Sequence, residues 1–280
     1  MTSASPRDVS AVPDGVRANT NADEAPRLFV FVGGLHRSGT SLLATLLASH
    51  PDVSGLTGTA VSEDEGQHLQ DVYRPAAAFG GPGRFAFAPE AHLTEASATP
   101  ASANRDRLVR AWSPYWDTSR RILVEKSPPN LIRFRFLRSV FPDSRSIAVV
   151  RHPVPVTYAT QRFYGRWHPW RRPTVRRLVE HWIVAHEIFE KDARALGDVI
   201  VVRYEELTER PREVLGGVAE ELGIPREFPD MPIDVTRDRS RRYFEAWDRY
   251  LRHPILGARR GRWVERADVA VARWGYSLRP

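Results

Sequence analysis

Apolar residues gather in two rhythms along this chain. Four short stretches are continuously apolar over most of their length: RLFVFVGG at 27–34, RILVEKS at 121–127, RSIAVVR at 145–151 and VIVVRYEEL at 199–207. Runs of that length, bounded by glycine, proline or charge, mark strands buried on both faces of a parallel sheet. Between them the apolar positions recur at helical spacing. SGTSLLATLLASH (38–50) carries leucines at 42, 43, 46 and 47, with Pro51 just past its end. RDRLVRAWSPYW (105–116), PNLIRFRFLRSVF (129–141) and TVRRLVEHWIVAHEIFEKDARAL (174–196) read as further helices. The last strand is expected to run out into a loop. Strands alternating with helices predict an α/β fold, one parallel sheet covered by helices on both faces.

The remaining stretches carry no period. Residues 1–26 are rich in Ser, Ala, Pro, Asp and Asn with few large apolar side chains, which predicts disorder. Residues 54–75 are acidic and polar, and 76–103 are rich in Ala, Gly, Pro and Ser. Together, 54–103 reads as a long surface loop or lid. No internal repeat is visible, so residues 27–280 are expected to form a single domain.

Composition narrows the classes. Of 280 residues 42% are hydrophobic and 27% charged, an ordinary globular balance. There is no cysteine, which excludes disulfides and thiolate metal sites. No apolar run is long enough to span a bilayer, and the N-terminus lacks the apolar core of a signal peptide, so a cytoplasmic protein is expected. The net charge is +7. Lysine stands only at 126 and 191, so 41 − 2 = 39 of the basic residues are arginine. The arginines are scattered rather than gathered in one tract, and nucleic acid is not expected as a partner.

The chemistry concentrates after the first strand. FVGGLHRSGTS nearly satisfies the phosphate-loop pattern G-x-x-x-x-G-K-[ST], with Gly34, Gly39 and Ser41 in place but Thr40 where the lysine belongs. A glycine loop between a parallel strand and a helix turns backbone N–H groups and the positive end of the helix toward one point, enough to hold a phosphate. The lysine matters when a γ-phosphate must be neutralised, usually beside magnesium and a carboxylate at a neighbouring strand end. Here those ends read VEKSPP, VVRHP and VRYEEL, and two of them supply Lys126 and Arg151. Glu125 or Glu205 could be forced into the metal-binding role, but neither follows an apolar run as cleanly as Arg151. The site is built of cations around an anion, with no metal expected. A nucleotide with several separated anionic groups fits it better than ATP–magnesium.

Three blocks then carry a family resemblance. FVGGLHRSGTSLLATLLASHPDV resembles the 5′-phosphosulfate loop of sulfotransferases that use 3′-phosphoadenosine 5′-phosphosulfate (PAPS) and release 3′-phosphoadenosine 5′-phosphate (PAP). VEKSPPNLIRFRFLRSVFPDSRSIAVVRHPVPVTYA resembles the second block, whose strand-ending arginine grips the 3′-phosphate, and VVRYEELTERPREVLGGVAEELGIP the third. They stand in family order and together span most of residues 27–225, with a flavour closest to the protein-tyrosine, glycan and bacterial sulfotransferases. The resemblance implies the PAPS sulfotransferase fold, a P-loop-type parallel sheet flanked by helices. It also explains the missing lysine, since a sulfuryl donor has no γ-phosphate.

The resemblance assigns roles residue by residue. Gly34, Ser38, Gly39, Thr40 and Ser41 match the cradle of the 5′-phosphate. Arg37 matches the loop cation that meets charge on the bridging oxygen, and a salt-bridged surface arginine is its plain alternative. His36 stands where proline is usual, either touching donor or acceptor or merely flanking the helix. Arg151 matches the 3′-phosphate arginine. A serine is expected eight residues on, where this chain has Ala159, which leaves Thr157 and Thr160 as replacements. Lys126 is implied to share transition-state charge, against a structural ion pair with Glu125. The general base is implied to be a glutamate shortly after the first helix: Glu65 first, then Glu63, with His68 third. An acidic surface helix is the plain alternative for either glutamate. QRFYGRWHPWRRPTVRR (161–177) reads either as an aromatic and arginine lining for acceptor or adenine, or as a helix packing its aromatics inward. RDRSRRYF (237–244) is a weaker source of 3′-phosphate contacts.

The resulting expectation is a PAPS-dependent enzyme sulfating a hydroxyl of a small-molecule or carbohydrate acceptor by direct in-line transfer. A P-loop small-molecule kinase and a non-catalytic nucleotide- or polyanion-binding protein are the alternatives. The acceptor's identity and the oligomeric state are not legible in the sequence.

Overall fold

The computed structural model describes residues 27–98, 100–229 and 237–279. The expected disorder of 1–26 lies outside them. Strand β1 (Leu28–Gly34) leads through a tight loop into helix α1 (Thr40–Ala48) and the short strand β2 (Val53–Gly55). Helix α2 (Ala101–Trp112) precedes β3 (Ile122–Lys126), α3 (Phe134–Val140), β4 (Arg145–Val150), α4 (Pro153–Trp167) and α5 (Val175–Leu196). The chain continues through β5 (Ile200–Arg203), α6 (Tyr204–Glu209), α7 (Pro211–Leu222), α8 (Arg237–Leu251) and α9 (Gly257–Ala272).

The five strands order β2-β3-β1-β4-β5, and every pairing is parallel. Alternate residues of each strand face opposite sides, so one continuous apolar run feeds two cores. Phe29 and Phe31 of β1 pack with Phe85, Trp112, Phe134 and Trp182 on one face. Val30 and Val32 pack with Leu43 and Leu47 of α1 and Leu215 of α7 on the other. β1 lies centrally, with β3 and β4 diverging from it on either side. That is the switch point at which open α/β sheets present a crevice beyond the strands' carboxyl ends.

Four expectations change. β2 was not read as a strand, because its three residues centre on Ser54 and take their extended form from pairing with β3. The residues after β5 form helix α6 rather than a loop. The stretch 129–141 divides into a tight 3₁₀ turn, Pro128–Ile132, and α3. The segment 54–98 is also no loose surface loop. It runs as successive 3₁₀ turns that bury Tyr73, Ala76, Phe85 and Ala91 against the sheet's larger core.

Candidate active site

The cleft lies where the carboxyl ends of β1, β3 and β4 meet α1. It encloses about 310 Å³, and its lining includes Arg37, Ser41, Glu63, Glu65, Arg151 and Tyr204. The loop closing β1 onto α1 fixes its floor. Gly39 precedes α1 with φ 104°, and a Cβ there would stand 2.3 Å from the Tyr204 ring, so both conformation and space demand glycine. A Cβ on Gly34 would come within 2.6 Å of Ser38 Oγ and 2.7 Å of the Val149 carbonyl. Arg37 itself holds φ 72°, a conformation non-glycine residues adopt at a cost. Ser38 is 1% exposed, and its hydroxyl has no hydrogen-bond partner. A buried hydroxyl left unpaired beside a helix N-terminus is chemically suited to an anion's oxygen.

Lys126 ends β3 and is buried at the cleft wall. Its Nζ donates to the Glu63 carbonyl at 2.7 Å and to Ser41 Oγ at 3.2 Å, and stands 3.6 Å from Glu65 Oε1. Ser41 Oγ donates in turn to Glu63 Oε2 at 2.9 Å. Glu65 is 7% exposed, and burial raises its carboxyl above the ordinary range despite Lys126 and the Gln67 amide. Glu63 is exposed and held in left-handed backbone at φ 58°. His68 is exposed, with Nε2 3.8 Å from Glu65 Oε2.

Beside Lys126, Glu125 is fully buried and points behind the cleft. Its carboxylate accepts from Ser127 Oγ and the Asn130 amide, and desolvation pushes it up to about 7. Ser127 Oγ also accepts from the Gln67 backbone N–H at 3.0 Å, tying this carboxylate to the turn that bears Glu65. The Glu125–Lys126 ion pair considered for Lys126 is not formed; Lys126 pairs with Glu65 instead.

Arg151 follows β4 and crosses the cleft. Its guanidinium lies 3.9 Å from the Tyr204 ring centroid, donates to the Arg37 carbonyl at 3.0 Å and to Ser240 Oγ at 3.3 Å, and leaves Nε without a partner. Ser240 and Tyr243 of α8 line the same cleft, which brings these two residues of the 237–244 stretch to it. The sequence assigns Tyr204 no role; its only signal is its place directly after β5.

Gly39, Thr40, Ser41, His36, Arg37, Glu63, Glu65 and Arg151 all line the cleft, with Lys126 behind Ser41 and Gly34 and Ser38 underpinning the loop. Thr157 and Thr160 are not brought to it. They share one face of α4, one turn apart, and with His181 line a separate cavity of only about 10 Å³, while Ala159 on another face lines the cleft. His36 borders both spaces; burial, then Arg37 and Lys126, lower its ring to about 3, so it stands neutral. Among the described residues no group of three or more His, Cys, Asp or Glu is gathered to hold a metal, and no helix is long and apolar enough to cross a membrane.

Comparison with known proteins places the chain in a family. The chain is 28% identical over 250 residues to the nodulation protein NoeE of Sinorhizobium fredii, an alignment covering 78% of this chain and 52% of that protein. It thus spans about half the length of that relative. Among solved structures, a sulfotransferase from Alicyclobacillus acidocaldarius aligns at 18% identity and a TM-score of 0.49, over 79% of this chain and 92% of that one. One from Mycobacterium avium aligns at 15% identity and 0.49, over 83% and 70%. The sequence pattern of the sulfotransferase family matches residues 30–230, from within β1 past the end of α7 and through the whole loop, lysine and arginine framework. The chain belongs to the sulfotransferase family.

Proposed function

We propose that the protein transfers the sulfuryl group of PAPS to a hydroxyl of a small-molecule or carbohydrate acceptor, releasing PAP. The observation that carries this reading is a base and a cation set together at a phosphate loop that lacks its lysine. Glu65 Oε1 lies 3.6 Å from Lys126 Nζ, and Lys126 bonds Ser41 at the loop's end.

The donor's anionic groups find fitting partners. The buried, unpaired Ser38 hydroxyl and the first turn of α1 suit a 5′-phosphate, and the unpaired Nε of Arg151 beside Ser240 suits a 3′-phosphate. In the transfer, the acceptor oxygen forms a bond to sulfur as the bond from sulfur to the phosphate oxygen breaks. Glu65 takes the hydroxyl proton, and its raised carboxyl makes it a stronger base once ionised. Lys126 and Arg37 face the negative charge that collects on the leaving oxygen. Glu65 must be ionised to act, so activity rises with pH through a carboxyl midpoint above the ordinary one. A kinase would want a lysine where Thr40 stands.

Titration calorimetry with PAP in EDTA, beside AMP and ATP, tests the donor assignment. Binding of PAP near micromolar, about −8 kcal/mol, with AMP far weaker and affinity lost in Arg151→Ala, is the expected outcome. PAP binding no better than AMP, or tightest binding of ATP with magnesium, overturns it.

A further inference from the structure

A second cavity, of about 290 Å³, opens beside the cleft, lined by Gly80, Gly81, Arg84, Phe163, His168 and Arg171 among others. Its wall is shared with the cleft, because the Arg37 guanidinium lies 5.1 Å from the Phe163 ring centroid. The cavity is built rather than accidental. Tyr164 Oη bonds the Gly80 and Pro82 carbonyls at 3.2 and 2.9 Å, pinning the 80–82 turn to α4. Gly80 and Gly81 contribute backbone only, leaving the space open. Arg84 spans it, donating to the Arg171 carbonyl and lying 5.7 Å from the Tyr164 ring centroid.

Its charge is of one sign. The lining holds Arg84, Arg171 and His168 and no carboxylate. The surrounding stretch 161–177 has six arginines and no acidic residue. Among the described residues Arg162, Arg166 and Arg171 form no ion pair. Trp167 and Trp170 on the same stretch are 61% and 96% exposed, flat apolar faces left in water. Unneutralised guanidinium groups in a concave site focus a positive field and match carboxylate or phosphate by paired hydrogen bonds.

We infer that this second cavity seats an anionic group of the acceptor, so that the substrate is an acidic, sugar-sized molecule whose reacting hydroxyl reaches past Phe163 to Glu65. The inference rests on the sulfotransfer reading for the word acceptor, while the cavity's preference for an acid stands on its own geometry. Arg84 and Arg171 hold the anion, the polarity of the site rejects neutral analogues, and the Phe163–Arg37 pair separates this charge from the donor's.

Saturation-transfer NMR on the full chain tests it, with glucuronate, glucose 6-phosphate and glucose as probes. Saturating PAP fills the donor cleft, and parallel samples contain none. At least one acid is expected to bind about tenfold or more tighter than glucose, a difference on the scale of one charged hydrogen bond. Arg171→Glu removes that advantage, as does Arg84→Gln, with PAP affinity unchanged in both. Arg171 is exposed, so its substitution leaves the fold intact. Which acid binds better tells carboxylate from phosphate. Equal binding of glucose and both acids overturns the inference, as does an advantage that survives both substitutions. Failure of the unsubstituted protein to bind PAP overturns the donor reading instead, and the acid–neutral contrast without PAP still decides the cavity.

Discussion

The two sides of the cleft are built differently. On the sheet side, the groups sit within a residue or two of a strand end: Lys126 closing β3, Arg151 following β4, and the 34–41 loop joining β1 to α1. Backbone pairing across a parallel sheet fixes these positions, and side chains have little freedom left. On the other side, Glu63 and Glu65 ride on successive 3₁₀ turns, and the second cavity lies between one such turn and the end of α4. That side is anchored by scattered aromatic side chains such as Phe85 and Tyr73 rather than by a ladder. The sheet side can therefore hold its geometry while the other side varies in what it admits.

Substitutions can break this contrast, beginning with the strongest. Glu65→Gln keeps the Gln67 contact and the volume but removes the proposed base; transfer should fall by about 10²–10⁴-fold while PAP affinity holds. Loss of both together would mean Glu65 is structural. Arg151→Ala should weaken PAP by about 2 kcal/mol or more, roughly 30-fold, as read by calorimetry. Gly39→Ala forces a Cβ into the Tyr204 ring from strained backbone, and urea unfolding should show a loss of about 1–3 kcal/mol.

Glu125→Gln sharpens the contrast through pH. The folded protein holds this carboxyl near 7 against an ordinary 4.5, so it binds the proton more tightly folded than unfolded. Its contribution is full below pH 4.5 and is lost as pH climbs to about 7. The slope is at most about 1.4 kcal/mol per pH unit. His36, His181 and His186, lowered from 6.5 to about 3, 3 and 4, act with the opposite sign, losing stability as pH falls below 6.5. The difference between variant and parent isolates Glu125: the variant should lack its decline between pH 4.5 and 7. Smallest of all, Trp170→Ala, on the exposed side, should shift unfolding by no more than about 0.5 kcal/mol.

What the sequence disclosed follows the same division. β1, β3, β4 and β5 were legible because strands buried on both faces are written as unbroken apolar runs. The cleft residues beside them were legible because chain continuity carries a strand-end residue to the strand's carboxyl edge. β2 was missed, its extended form coming from a neighbour rather than from its own residues. The packing of 54–98 was missed because Tyr73, Phe85 and Ala91 follow no period. Thr157 and Thr160 stand beside Ala159, where the resemblance expects a serine, and only the phase of α4 decides that Ala159 and not its neighbours faces the cleft. Ser240 was flagged only as part of a block, since nothing local ties it to a residue 89 positions earlier.

That separation sets an order of assembly. During synthesis the loop, Lys126 and Arg151 all emerge before residue 152, and the central strands can pair around β1 soon afterwards. The wall contributed by Ser240 and Tyr243 comes later, several seconds at ribosomal speeds of about 5–20 residues per second. A chain stopped short of α8 would carry the loop, Lys126 and Arg151 without the Ser240 and Tyr243 wall. The cleft is therefore finished only when α8 docks, its last wall settling onto a sheet that was already made.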